Sequence, residues 1–423
     1  MQHYLPYLNW IDHKLDHMKE LVSSWANINT HFQNYQGLQA LTAKLKESFS
    51  ILEGSIEEID LPHHTSVDDH GNIHSIALGK ALHITKRPDA PIKILLNGHM
   101  DTVFHKNSPF QTVHETPQKT LVGPGVCDMK GGLVVLLYAL QALEKSPYAS
   151  KIGWEVLITP DEEIGSPGSK SILEQAAKRH HIGLIFEPAH SDGSIVSSRP
   201  GSINQVIVVR GKSAHAGRDY THGRSALLKA CSLATKFSSL NTLKMGQEMP
   251  TDSLGKHVIV NIGEIHSGNS FNIVPDLAIL RVNIRASLHN LLQETSSKIK
   301  EIVKEESADD GIWIEVHEVS ARPPKVVDHA TEKLSHFIQE CAEKLDCKLS
   351  SKSSGGASDG NTLSNAGLLT IDSLGPIGGK MHTHEEYVVL DSIAQRAKLA
   401  SLLLMRIGNG EFAIESKNHI IEL

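Results

Sequence analysis

Apolar positions recur at helical spacing through the first fifty residues. Met18, Leu21, Val22 and Trp25 form one stripe and Leu38, Leu41, Leu45 and Phe49 another, which predicts helices between about 8 and 52. A strand-like pair broken by His70-Gly71-Asn72 follows. Short apolar runs then alternate with helical stripes: Ile92–Leu96, Trp154–Ile158 and Ile182–Phe186 read as strands, Leu133–Leu143 and Ser169–Lys178 as helices. That alternation predicts an α/β fold, a mostly parallel sheet flanked by helices. The pattern changes after Ser198-Arg-Pro-Gly-Ser202. Ile203–Val209, Val258–Ile265 and Ala278–Ile284 read as strands, Arg224–Leu240 and Leu291–Val303 as helices, and Ala321-Arg-Pro-Pro324 punctuates the end of this α+β unit. The expected organisation is a discontinuous catalytic domain, 1–198 and 319–423, with a smaller domain, 199–318, inserted in it.

Composition narrows the function. A chain of 423 residues with 40% apolar residues can bury a core in two or three domains. A formal net charge of -7 gives no basic field with which to hold nucleic acid or an anionic membrane, so neither partner is expected. The amphipathic N-terminus lacks an apolar leader and no run of about 18 apolar residues occurs, so the reading is cytoplasmic. Cys127, Cys231, Cys341 and Cys347 include no C-x-x-C pair and read as reduced thiols. A small-molecule substrate is the remaining expectation.

In open α/β sheets, ligand sites collect beyond the carboxyl ends of the strands, and here the polar residues do so repeatedly. The strand at 92–96 leads into His99 and Asp101, the strand at 154–158 into Asp161-Glu162-Glu163, and the strand at 182–186 into Glu187. Gly123-Pro-Gly-Val-Cys-Asp128-Met-Lys-Gly-Gly132 sets Asp128 just before a helix, and His382 and His384 come far downstream. Singly, each has a plain structural explanation: a helix cap, a solvated turn, a hydrogen-bonded histidine. Together, carboxylates and imidazoles delivered to one sheet edge need a cation between them. Imidazole and carboxylate without thiolate fit Zn²⁺ in a catalytic site, and the excess of carboxylates suggests two ions sharing a ligand.

These stretches resemble a known family. His99-Met-Asp101, Gly125-Val-Cys-Asp128-Met-Lys-Gly-Gly132, Asp161-Glu-Glu-Ile-Gly165, Phe186-Glu187-Pro188 and His382-Thr-His-Glu-Glu386-Tyr-Val388 are similar, in order, to the signatures of the di-zinc amidohydrolases and exopeptidases. That family includes glutamate carboxypeptidase, acetylornithine deacetylase, succinyl-diaminopimelate desuccinylase and aminoacylase, and the glutamate carboxypeptidase branch is the most similar. The resemblance implies two Zn²⁺ per chain, with Co²⁺ or Mn²⁺ as substitutes. His99, Asp128 and Glu187 would serve one ion, Asp128, Glu163 and His382 the other. Glu162 would be the general base and Asp101 the carboxylate that orients His99. The glutamate at 386 selects His382 over His384, which stands close enough to compete for metal.

The inserted domain would be a lid and dimerisation domain. Lys212-Ser-Ala-His215-Ala-Gly217 resembles the motif whose histidine reaches a partner subunit's site and helps bind the oxyanion. Asn272 and Arg285 match substrate-gripping positions, and Gly356 lies in the stretch 354–360, expected to be a flexible loop on the substrate side. The implied activity is zinc-dependent hydrolysis of the amide bond of a C-terminal or N-acyl amino acid by a homodimer. An N-deacylase of the acetylornithine or aminoacylase type is the alternative. A catalytically silent binding protein is the more remote one, and such a chain should have lost Glu162 or a ligand.

Overall fold

The computed structural model describes residues 1–243, 245–247, 257–307 and 311–414. Its larger sheet has six strands in the order Ser55–Ile59, Ala81–Lys86, Ile152–Thr159, Ile92–His99, Ile182–Ile185 and Leu369–Ile371. The last four run parallel to one another, whereas Ala81–Lys86 is antiparallel to both its neighbours, Ser55–Ile59 and Ile152–Thr159, so the sheet is mixed at one edge. Alternation along Ile92–His99 splits the core in two. Ile94 and Leu96 face the helices Lys130–Glu144 and Leu390–Gly408 and the N-terminal helices, while Leu95 packs with Leu157, Leu173 and Leu363 on the other side. Lys130–Glu144 is apolar almost all round and is buried accordingly.

A second, fully antiparallel sheet has the order Val258–Ser267, Leu277–Ala286, Gly201–Arg210, Trp313–Arg322. Its last strand was not anticipated from the sequence, and it runs through the boundary expected at 318. Helices Ala226–Ser238 and His289–Glu306 cover one face through Ile207, Leu280, Ile284, Leu233 and Ile299. The opposite face is shared. A hairpin, His64–Val67 and Ile73–Ile76, lays Val67 on Val206, Val208 and Ile279, and the Arg281 guanidinium donates to the Val67 carbonyl. The rest of that face opens onto a cavity of about 920 Å³ above the larger sheet.

The chain passes between the sheets twice, side by side. Arg199 and Lys325 exchange backbone hydrogen bonds at 3.0 Å in both directions. No helix among the described residues is long and apolar enough to cross a membrane.

Candidate metal centre

Every expected ligand arrives from a different element, and all converge on one end of the larger sheet. His99 ends its strand. Asp128 precedes the helix Lys130–Glu144, Glu163 lies in the turn Glu162–Ile164, Glu187 follows Ile182–Ile185, and His382 sits in the loop before Tyr387–Val389. The His99 Nε2 atom is 3.1 Å from Asp128 Oδ1 and 3.7 Å from Glu187 Oε1. The His382 Nε2 atom is 3.4 Å from Asp128 Oδ2 and 3.2 Å from Glu163 Oε2. Asp128 thus offers one oxygen to each of two sets, His99 with Glu187 and His382 with Glu163, and the donor atoms of each set lie within 4.8 Å of one another.

The charges show what this arrangement demands. Burial, followed by the charge of Asp128, pushes the Glu163 carboxyl up to about 8 and Glu187 well above the usual carboxylate range. Burial opposes ionisation of Asp128 too, but hydrogen bonds from His382 and His99 hold it well below that range. Hydrogen bonds to Asp128 and Glu163 raise His382 to about 11, and Asp101 followed by Asp128 raises His99 although its burial works the other way. Three largely buried carboxylates facing two imidazoles, with no thiolate, form a donor set that suits divalent metal ions such as zinc.

The supporting residues explain the local sequence. Glu386 is buried behind the glycine-rich turn, where its carboxylate accepts from the backbone N–H groups of Gly125, Cys127 and Asp128 at 3.0–3.1 Å. Gly125 is required there: its φ is +72°, and a Cβ would lie 2.7 Å from Thr102 Cγ2. Asp101 differs in detail from expectation. Its main-chain carbonyl meets His99 Nδ1 at 3.0 Å, whereas its carboxylate, 3.4 Å from that nitrogen, accepts from the N–H groups of Glu162 and Glu163 at 3.2 and 2.9 Å. Asp101 therefore fixes both the imidazole and the turn that presents the two glutamates.

His384 does not point at the metal ligands; its ring stacks on Phe110 at 5.5 Å and lies 6.4 Å from Phe104. The residue that seemed a rival ligand instead pins the loop of His382, whose own φ is +64°. His384→Ala is expected to speed loss of the ion held by His382 about three- to tenfold, the worth of one aromatic pair. Chelator-competition kinetics read this directly, and an unchanged release rate would count against the pin.

Two residues that hold Glu162 and its turn were not anticipated. Arg322 Nη1 lies 2.8 Å from Glu162 Oε1, and its Nη2 donates to the Glu162 carbonyl, to Ser166 Oγ and to Asp359 Oδ1. Asp359 is buried and also accepts from Thr159 Oγ1 at 2.9 Å. The stretch 354–360 is therefore no single flexible loop: Gly356 lines the cavity and its carbonyl accepts from Arg199, while Ser358 caps the helix Asp359–Asn365. Arg285 lines the cavity as well, with Nε on Asn283 and Nη1 on the Gly355 carbonyl. His215 and Asn272 are elsewhere. His215 is exposed on the two-residue strand pair of 214–215 with 273–274, Asn272 is exposed beside it, and neither lines the cavity of its own chain.

Residues 95–406 match the sequence pattern of peptidase family M20/M25/M40. The chain belongs to that family. As an M20 protein it is a metal-dependent hydrolase of the metallopeptidase and amidohydrolase kind. Carboxypeptidase G2 of Pseudomonas sp. (strain RS-16) is 27% identical over 328 residues, 75% of this chain and 74% of that protein. Succinyl-diaminopimelate desuccinylase of Rickettsia bellii is 23% identical over 378 residues, 86% of this chain and 92% of that one. The crystal structure of an M20 family metallo-carboxypeptidase from Sulfolobus solfataricus shares the fold, with a TM-score of 0.71 at 15% identity over 93% of this chain and 99% of that one.

Proposed function

We propose that this M20 hydrolase binds two Zn²⁺ per chain, one between His99, Asp128 and Glu187 and one between Asp128, Glu163 and His382, and cleaves the amide bond that joins an acyl or peptidyl group to an amino acid with a free α-carboxylate. The observation that carries the reading is Asp128, whose two oxygens face two separate imidazole-carboxylate sets. Bound cations of this kind would supply a more acidic water and polarise the scissile carbonyl.

The chain's own residues do the rest. Glu162, held by Arg322 and by the turn that Asp101 fixes, takes the proton of the attacking water and returns it to the departing amine. Arg285 offers its guanidinium fork to the substrate carboxylate, and Gly356 borders the same space. His215, exposed and remote from the cavity of its own chain, serves as oxyanion donor to the site of a partner subunit, with Asn272 beside it. That role makes the protein a homodimer assembled through the inserted domain, whose strand Val258–Ser267 is the outermost of its sheet, with Asn241 and Thr242 bonded to its first residues. The free thiols suit a reducing compartment such as the cytoplasm. An N-deacylase is the second reading, supported by the likeness to the desuccinylase.

A hydrolysis screen on zinc-loaded protein, with dipeptides and N-acyl amino acids that vary the C-terminal residue, tests the reaction. Substrates with a free carboxylate should be cleaved and their C-terminal amides should not; equal cleavage of the amides would remove Arg285 from its role. Mixing inactive His215→Ala and inactive Glu162→Gln proteins tests the shared site. Subunit exchange should restore activity, because each mixed dimer holds one site with both residues intact. Verified exchange without recovery would leave each chain's site independent.

A further inference from the structure

The half of the smaller sheet that roofs the cavity carries a row of neutral polar side chains, one from each strand. Asn261 lies opposite Asn283, Asn283 opposite Asn204, and Asn204 opposite Ser320. With strands about 4.8 Å apart, four such residues span roughly 14 Å, and all four line the cavity.

The row is ordered. Asn283 Nδ2 donates to Asn204 Oδ1 at 2.7 Å and to Ser202 Oγ at 2.9 Å, Asn204 Nδ2 donates to Ser320 Oγ at 2.9 Å, and Asn283 Oδ1 accepts from Arg285 Nε. Counting donors and lone pairs, Asn204 keeps one N–H and one lone pair beyond these bonds. Asn261 is exposed to the cavity and makes no side-chain hydrogen bond among the described residues, so its whole amide is open. The strip therefore presents fixed donors and acceptors side by side, without net charge and without a large apolar side chain.

We propose that Asn261 and Asn204 determine specificity by pairing with a neutral amide or hydroxyl group on the substrate, and that purely aliphatic or aromatic acyl groups are rejected. The inference rests on the amide-hydrolase reading and adds the character of the group under the roof. An apolar acyl group lying there strips water from these side chains and returns no hydrogen bond, which leaves buried polar groups unpaired.

The test compares two isosteric substrates that end in the same amino acid, one N-acetylglycyl and one N-pentanoyl. They match in chain length and differ in a single amide. Zinc-loaded wild type should favour the acetylglycyl compound in kcat/KM by about tenfold or more, the worth of one such pairing. Asn261→Leu, at an exposed position, should narrow the ratio by lowering kcat/KM for the acetylglycyl compound, and Asn204→Ser should act in the same direction. An equal or inverted preference in wild type, or a preference that both variants leave untouched, overturns the assignment while amide hydrolysis stands. Failure of the loaded protein to cleave either compound overturns the amide-hydrolase reading and the inference with it.

Discussion

Glu162→Gln is expected to lower kcat by about a thousandfold, the range of a lost general base, while leaving the metal content of the purified protein unchanged. The side chain touches Arg322 and faces the cavity, but it belongs to neither cluster of candidate ligands. Glu163→Gln should do the opposite at first, releasing one ion per chain, because its carboxylate is one of the two that His382 faces. Arg322→Met should resemble Glu162→Gln in kind and be milder, since it frees the base to wander without removing it. Metal analysis alongside initial rates separates the three. Wild-type kcat in Glu162→Gln, or full loss of metal from it, would reverse the assignment of the neighbouring glutamates.

Loading the metal-free protein at pH 7 is expected to expel up to four protons per chain, one each from His99, His382, Glu163 and Glu187. Glu163 is held at about 8 and His382 at about 11 before loading, and His99 and Glu187 are pushed in the same direction. Ligands must shed these protons to bind. A pH-stat titration with zinc, or calorimetry in buffers of different ionisation heat, counts them; release below one proton per chain would refute the charge arrangement. The same groups set the pH dependence of stability. A carboxyl raised from 4.5 to about 8 favours the fold only while protonated, and that support is lost as pH climbs between those values. His382, raised from 6.5 to about 11, likewise favours the fold most below 6.5 and ceases to do so above about 11. The metal-free fold should therefore weaken from about pH 4.5 to about 8, with His382 adding to the loss above 6.5, and the rise in Tm on adding zinc should grow over the same interval.

Legibility in the sequence followed distance along the chain. The helices Lys130–Glu144 and Lys170–Arg179 and the strands that end at the site carry their own periodicity, so the sheet and the order of the polar strand ends were readable. Trp313–Arg322 was not, because its alternation slips by one residue at His317-Glu318, where the pairing with Gly201–Arg210 also shifts register, and the strand is only half buried. Arg322 was passed over for a related reason: it stands in Ala321-Arg-Pro-Pro324, whose prolines read as punctuation, and its partners Glu162 and Asp359 are 160 and 37 residues away. The asparagine row escaped notice because it exists only in the cross-strand register. His384 was ambiguous until Phe110 stood beside it. Nothing near His384 in the sequence foretells that stack.

The side-by-side crossing of Arg199 and Lys325 has a bearing on how such a protein could be built and rebuilt. Ser202 and Arg322 are register partners in adjacent strands, so the excursion of the chain through the smaller sheet begins and ends within about 5 Å. A short turn could close that gap without rethreading any strand of the larger sheet. The roof that faces the substrate is thus topologically a cartridge: another sheet with equally close ends could be spliced between the same two residues, exchanging what is recognised while the floor that holds His99, Asp128, Glu163, Glu187 and His382 is inherited intact.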